Sequence, residues 1–452
     1  MLANALAQQY RRTRPRSARL HLLCGDEQGL LFDVESGRIR AMPAGAASAI
    51  AASLDAGDAP RADLIAAGFG LLSAPLSSPP LPKSVPIRAI SLAIAQKCNL
   101  GCTYCYAQQG GFGSKPKNMP DAVARASVDR LFAEAKAGER VTLAFMGGEP
   151  LSNRGALHAV TRYAAQEAGK RGIAVGFALT TNGTLLVEED IALFQQYGFT
   201  VTVSIDGIGA VHDRLRPFAA GRGSFERIAT NMRRLLGHEG RRFPVFARAT
   251  VTSKNLDLPA TLEGLLAMGF DSVMFSPMLS APSDGEQMEL ADFDMLLDQL
   301  SRCADMFRAE AALGRILPLS NVLRMVQRIH RYRREQYPCG AGGGYLAASA
   351  DGDLYACHRF VDDADGYLGD VEQGLSAVRQ EAWLETRNLQ NQSPCPSCWA
   401  RYLCSGSCHY EVLKEGRPAC DYIRGWANKC LQIYASLARE NPALLERIAA
   451  YE

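Results

Sequence analysis

No stretch of this 452-residue chain is apolar over the roughly 20 residues that a bilayer-spanning helix needs, so neither a membrane-spanning helix nor a membrane partner is expected. Net charge is also nearly absent. With 49 Lys and Arg against 47 Asp and Glu, the formal charge is +2 and the signs are interspersed, which leaves no basic face for nucleic acid. A signal-peptide core is missing as well. Arg11, Arg12, Arg14 and Arg16 are followed by an apolar stretch that Asp26 and Glu27 interrupt. What the chain does have is cysteine, 13 of them. Without an export signal, grouped thiols belong to a reducing compartment, where they are metal ligands or catalysts more often than disulfides. The cytoplasm is the expected location. At 47% apolar and 21% charged residues the chain is long enough for two or three domains, each with its own core.

Three parts are expected: 1–82, 83–330 and 331–452. In the first, apolar runs Leu20 to Leu23 and Leu30 to Val34 flank Gly25 to Gly29 and predict a hairpin. Ala-rich segments near Ala44 to Leu54 and Ala62 to Ala67 predict two short helices, and a Pro-rich linker, Ser77 to Pro86, follows. In the second part strand-like runs alternate with amphipathic stretches: Ile90 to Ala95, Val141 to Phe145, Ala174 to Thr180, Thr200 to Ile205, Val245 to Val251 and Ser272 to Phe275. That rhythm means α/β architecture, a parallel sheet with crossover helices and its active face at the strand C-termini. Six strands are too few for a closed eight-stranded barrel, so the sheet should be open and curved. In the third part the rhythm stops, and eight of the 13 Cys lie between Cys339 and Cys430. Metal should staple this part more than a large core does.

Directly after the first of those strands comes Gln96-Lys97-Cys98-Asn99-Leu100-Gly101-Cys102-Thr103-Tyr104-Cys105-Tyr106. Three thiolates on one tight loop can hold three irons of a cubane cluster, and the fourth iron is then left without a protein ligand. An iron with an open site binds a substrate or cofactor and does chemistry. A fully ligated cluster mainly carries electrons.

The Cys-x3-Cys-x2-Cys spacing with an aromatic at Tyr104 resembles the signature of the radical S-adenosylmethionine (radical SAM) enzymes, whose fold is a partial (β/α)6 barrel. Three further segments at predicted strand ends resemble the family's cofactor motifs. Gly147-Gly148-Glu149-Pro150 is similar to the motif for the methionyl amino group, with glycines that allow close backbone approach and Glu149 as a charge for an ammonium. Thr180-Thr181-Asn182-Gly183-Thr184 forms a polar rim, although its Asn-Gly pair alone would be a simple turn. Ser204-Ile205-Asp206-Gly207 looks like the segment that reaches the ribose and carboxylate, with Ser204 the better candidate and His212 and Arg214 as braces of the next helix. Arg248, within the fifth strand, could meet a carboxylate or form an ordinary salt bridge. The resemblance thus implies Tyr104, Gly147, Gly148, Glu149, Thr181, Asn182, Ser204 and Arg248 as cofactor contacts.

Cys339, Gly352, Cys357, Cys395, Cys398, Cys404, Cys408 and Cys420 match the pattern of the SPASM domain, which carries two auxiliary clusters beyond the barrel. A zinc site for Cys395 to Cys408 alone is physically reasonable; the interleaved Cys339, Cys357 and Cys420 speak against it. The resemblance implies Cys339, Cys357 and Cys408 for the first auxiliary cluster, and Cys395, Cys398, Cys404 and Cys420 for the second. In the sulfatase-maturase branch another Cys follows the first by six residues, where Tyr345 stands here. Either Cys430 completes that set or one iron is open. Cys24 and Cys303 are expected to be structural thiols.

The predicted hairpin and helices at the N-terminus resemble the leader-recognition domain of ribosomal-peptide maturases, which offers a sheet edge to a peptide strand. A stabilising cap is the plainer alternative. The run from Cys98 to Ala107, with Gly110-Gly111-Phe112-Gly113 close behind, is most similar to the thioether-forming group that matures a quinohemoprotein amine dehydrogenase subunit. The resemblance therefore implies three [4Fe-4S] clusters, one binding S-adenosylmethionine and two auxiliary. It also implies a Cys-containing peptide or small protein subunit as substrate, and an electron donor such as flavodoxin or ferredoxin. A carbon–carbon cross-linking maturase, an anaerobic sulfatase maturase and a non-enzymatic iron–sulfur electron carrier remain alternatives. Asp284 and Glu286 are possible bases, but a solvated acidic loop is the simpler reading, and no general base is assigned.

Overall fold

The computed structural model describes residues 13–23, 29–74, 85–279 and 288–451. Cys24, most of the Pro-rich linker, and Asp284 and Glu286 lie outside them. The chain forms two compact units, one from 1–80, 289–338 and 386–452, the other from 81–288 and 339–385.

The first unit opens with an antiparallel sheet in the order β1 (Leu20–Leu22), β2 (Leu30–Asp33) and β3 (Ile39–Ala41). The hairpin is as expected, whereas β3 is an addition. It is short, interrupted by Arg40 and barely buried, so its apolar signal is weak. Helices α1 (Ala44–Asp55) and α2 (Ala59–Gly68) follow. Leu20, Leu31, Ala46, Ile50, Leu54, Ala62, Ala66 and Leu71 make one core between sheet and helices. At the start of α2 the Asp58 carboxylate accepts from Arg61 N (3.0 Å), a cap that contributes about 1 kcal/mol.

In the second unit the expected parallel strands are β4 (Ala89–Gln96), β6 (Arg140–Gly147), β7 (Ala174–Thr181), β8 (Thr200–Ser204), β9 (Val245–Val251) and β10 (Ser272–Pro277). The short β5 (Lys117–Asn118) pairs antiparallel with β4. The sheet does not end there. A further parallel strand, β11 (Tyr345–Ala348), pairs with the other edge of β4, and β12 (Asp353–Tyr355), β13 (Tyr367–Asp370) and β14 (Gly374–Leu375) extend it antiparallel. With both edges paired, β4 is buried almost along its whole length and reads as a continuous apolar run.

Along β8 and β9 buried and half-buried residues alternate. The buried series (Val201, Val203, Val245, Ala247, Ala249) forms a core with Phe145, Phe177, Phe194 and Phe199, whose rings pack within 6.0 Å of Phe199. Each such side chain contributes about 1.5–3 kcal/mol through burial. On the half-buried face, register brings together Ala178 with Thr200, Thr180 with Thr202, Ser204 with Arg248, and Thr250 with Ser276. This partly open face carries small and hydroxyl-bearing residues, the apolar Phe246 and Met274, and the Arg248 guanidinium.

The helices of the second unit between its strands are α3 (Asp121–Phe132), α4 (Arg154–Arg171), α5 (Glu188–Tyr197), α6 (Ala210–Leu215), α7 (Phe225–Leu236) and α8 (Leu258–Ala267). In the first unit, α9 (Leu290–Ala312), α10 (Ser320–His330), α11 (Cys420–Glu440) and α12 (Pro442–Ala449) form the helical part. Gly425 lets α11 approach α9 closely, since a Cβ there would stand 2.4 Å from Leu297 Cδ2. Trp399 stacks on His21 (3.7 Å between ring centres) and meets Phe32 edge-on. Glu35 pairs with Arg401 (2.8 Å) and Arg334 (3.4 Å) in the same buried region. Among the described residues no helix is long and apolar enough to cross a membrane.

Candidate active site at the three-cysteine loop

The loop leaves β4 at Gln96, which is buried: Nε2 donates to Asp362 (3.0 Å) and Oε1 accepts from Ala350 N (2.7 Å). From there the backbone is clasped by a distant segment. Gly101 N donates to Pro217 O (2.8 Å), Thr103 N to Leu215 O (3.0 Å) and Ala219 N to Asn99 O (3.0 Å). Cys98 Sγ accepts from Leu100 N (3.4 Å) and, at 3.7 Å, from Asn182 Nδ2, which also donates to Asn99 Oδ1 (2.9 Å).

Glycines at the end of β6 and within the loop itself bring the two backbones close together. A Cβ at Gly147 would stand 2.4 Å from Ala95 O, one at Gly148 2.2 Å from Lys97 O, and one at Gly110 2.5 Å from Gly148 Cα. Close backbone packing alone therefore demands glycine at all three places. Glu149, 0% exposed, accepts from Thr181 Oγ1 (2.7 Å) and Leu151 N (3.0 Å) through Oε1, and from Asn182 N (2.7 Å) through Oε2. A carboxylate oxygen has two lone pairs, so one acceptor position remains on Oε2. Burial raises the Glu149 carboxyl above its ordinary range, against the pull of those donors.

Beside this lies a second buried group, which joins Tyr104, Asp206 and His212 from the sequence motifs to Arg216, a residue that the sequence analysis did not single out. The Tyr104 hydroxyl donates to Asp206 Oδ2 and accepts from Arg216 Nη1 (2.6 Å). Asp206 Oδ1 accepts from Thr250 N (2.9 Å), and its own N–H donates to His212 Nδ1 (3.2 Å). His212 Nε2 then faces Ser224 Oγ (3.0 Å), which donates to Arg216 O (2.6 Å). Burial first, and Arg216 second, lower His212 to about 3, so it is a neutral brace. Arg214 donates instead to the exposed Lys254 carbonyl. Nothing local in Arg216 marks it in sequence; it and Asp206, which lies in the Ser204–Gly207 segment, meet Tyr104 only because the chain returns after more than a hundred residues.

Ser204 and Arg248 are register neighbours on the open face, and Arg248 Nε donates to Ser276 Oγ (3.0 Å). Tyr345 places its hydroxyl 2.9 Å from His358 Nδ1, and both Cys339 and Cys357 act on its charge. Cys395, Cys398, Cys404 and Cys420 lie together in the first unit: burial first, and then the nearness of the other three, pushes the Cys404 thiol up. Cys408 is at the start of helix His409–Glu415. Cys430 is fully buried on α11, ten residues past Cys420 and so about 15 Å further along the axis. Cys303 is buried on α9.

The donor chemistry fits iron–sulfur clusters. Burial raises Cys98 to about 12 and Cys102 to about 11, so these thiols need a metal to be thiolates at neutral pH. No three His, Cys, Asp or Glu side chains among the described residues converge on the spacing of a single ion. The sulfurs around a cubane stand farther apart than those around one ion.

Residues 92–276 match the profile of the Radical SAM superfamily. The chain is a radical SAM enzyme. As a radical SAM enzyme it works with a [4Fe-4S] cluster and S-adenosylmethionine. It is 26% identical to the serine-type anaerobic sulfatase-maturating enzyme of Klebsiella aerogenes over 77% of this chain and 86% of that one. To the enzyme of the same description from Bacteroides thetaiotaomicron it is 23% identical over 76% of this chain and 88% of that one. The solved structure of native anSMEcpe with bound AdoMet superposes with a TM-score of 0.65 at 18% identity, covering 80% of this chain and all of that one, which shows a common fold.

Proposed function

We propose that this radical SAM enzyme is a peptide maturase that removes a hydrogen from a Cys-containing ribosomal peptide or small protein subunit and forms intrapeptide thioether cross-links. The observation that carries a peptide or protein substrate is the likeness to sulfatase-maturating enzymes over three quarters of the chain. The β1–β2–β3 sheet adds support, because β3 ends it and pairs on one side only among the described residues. Such an edge accepts a peptide strand through backbone hydrogen bonds. Leu64 and Phe69, 74% and 52% exposed on and just after α2, offer apolar contacts in the same part of the chain. The thioether product rests on the resemblance of the run from Cys98 to Gly113 to the thioether-forming group.

Cys98, Cys102 and Cys105 would hold the cluster whose fourth iron is open. When bound, the cluster and S-adenosylmethionine supply a one-electron reductive cleavage and a radical that abstracts hydrogen. The protein's part is placement. The Leu215–Ala219 clasp and the three glycines fix the loop. The remaining lone pair of Glu149 would accept a hydrogen bond from an ammonium N–H. Tyr104, Thr181 and Asn182 would border the cofactor, and Ser204 and Arg248 on the open sheet face would receive a hydroxyl or carboxylate. Cys395, Cys398, Cys404 and Cys420 would ligate one auxiliary cluster; Cys339, Cys357 and Cys408 would ligate the other, with Cys430 or the substrate thiol on its fourth iron. The electron released when the substrate radical closes onto sulfur would pass to these clusters, and the thiol proton would leave to solvent. A flavodoxin or ferredoxin would donate the electron.

A sulfatase maturase is the second reading, favoured by the same relatives. Against it stands Tyr345, a strand residue hydrogen-bonded to His358, at the place where the sulfatase-maturase branch has a further Cys. Mass spectrometry of candidate Cys-containing peptides after anaerobic turnover separates the two. A loss of two hydrogens per cross-link, with a thiol that no longer alkylates and no hydrazide-reactive aldehyde, supports the thioether. A hydrazide-reactive product identifies formylglycine instead.

A further inference from the structure

The backbone bonds from Gly101 to Pro217 and from Thr103 to Leu215 place Arg216 directly opposite Cys102, as paired residues of antiparallel strands stand. Its side chain turns inward rather than to solvent, and the residue is 8% exposed. Nη1 is fixed on the Tyr104 hydroxyl at 2.6 Å, and the guanidinium lies 3.8 Å from Asp206. Its Nε is buried and makes no hydrogen bond among the described residues, so one donor is unspent. Of the charges acting on Cys102, Arg216 is the largest, ahead of Asp206, which acts in the opposite sense. In a low-dielectric interior a fixed charge at this range acts strongly. Cluster potentials respond to net charge, hydrogen bonds to sulfur and exposure.

We propose that Arg216 sets the reduction potential of the cluster held by Cys98, Cys102 and Cys105, its buried cation stabilising the state that has gained one electron. The proposal rests on those three cysteines being the ligands. The electron comes from the external reductant, no proton moves, and Arg216 is unchanged by the step. Tyr104 holds the guanidinium in place, while Asp206 opposes its field.

The test uses the reconstituted full chain in a redox titration followed by electron paramagnetic resonance. Of the clusters, the one binding S-adenosylmethionine is recognised because its signal shifts when the cofactor is added. Arg216→Gln should lower the reduced fraction at a fixed potential about tenfold, equivalent to ~59 mV for one electron. Arg216→Lys should restore most of that, and Asp206→Asn should shift the potential the other way. A merely structural role would lower iron content without shifts of opposite sign. Unchanged potential in Arg216→Gln at full iron content overturns the proposal; if that variant holds no cluster, an unraised potential in Asp206→Asn does. Failure of the underlying assignment looks different: a signal responsive to S-adenosylmethionine would survive in Cys98→Ala, Cys102→Ala, Cys105→Ala.

Discussion

Two groups of cysteines in this chain are supported in opposite ways. Cys98, Cys102 and Cys105 follow a strand paired on both edges and are held by a returning backbone segment, three close-packed glycines and the Glu149 bonds. Cys395, Cys398, Cys404 and Cys420 sit on short helical turns and the first turn of α11. The first loop is braced by backbone and side-chain contacts that need no metal, and the proposed open iron there would be free for chemistry. The second group has four sulfurs and little backbone scaffold, so metal would complete its fold.

The largest expected contrast follows from that difference. The triple variant Cys98→Ala, Cys102→Ala, Cys105→Ala should lose S-adenosylmethionine cleavage to background yet melt close to the native temperature. Cys395→Ala, Cys398→Ala should lower Tm clearly and open residues 395–420 to limited proteolysis; equal melting of the two variants would break the comparison. Next in size are the supports of the first loop. Glu149→Ala leaves the Thr181 hydroxyl and the Leu151 and Asn182 N–H groups without their acceptor, which costs about 1–3 kcal/mol in a denaturant melt. Gly148→Ala forces a Cβ onto Lys97 O and should cost a similar amount through overpacking. Binding of a peptide substrate by the first unit is tested by Leu64→Ser with Phe69→Ser, for which Kd measured by anisotropy should rise about tenfold, or ~1.4 kcal/mol, with cofactor cleavage unchanged.

The smallest effect is on pH dependence, and both units should share it. His21 and His212 are each lowered to about 3, chiefly by burial. A depressed folded-state value means stability that is fully present above the unfolded-state value of about 6.5 and lost as pH falls from there toward 3. Tm should therefore decline below about pH 6.5, and less steeply in a His21→Gln variant.

Much of this architecture was legible in the residues. The six parallel strands are long apolar runs between turn signals, and each lies within a residue or two of its expected place. β3 and β11 were not legible. Ile39-Arg40-Ala41 is too short and polar for a pattern, and Tyr345–Ala348 emerges from a Gly- and Cys-rich region whose pairing with β4 crosses more than 200 residues of chain. The same holds at the site. Cys spacing is local and visible, whereas the Tyr104–Asp206–Arg216 group depends on the return of the segment after β8, which no local pattern encodes. The glycines of Gly147-Gly148 were read as room for a ligand, and the structure shows that they also make room for the loop itself.

The most direct test of the open-iron site is anaerobic reconstitution with iron and sulfide, reduction with dithionite and chromatography for 5'-deoxyadenosine, comparing the intact chain with Cys98→Ala, Cys102→Ala, Cys105→Ala. The intact protein should produce 5'-deoxyadenosine, and the variant, still carrying iron on its other cysteines, should produce none. Equal production by both, or none from the fully reconstituted intact protein with candidate peptide present, would contradict the account.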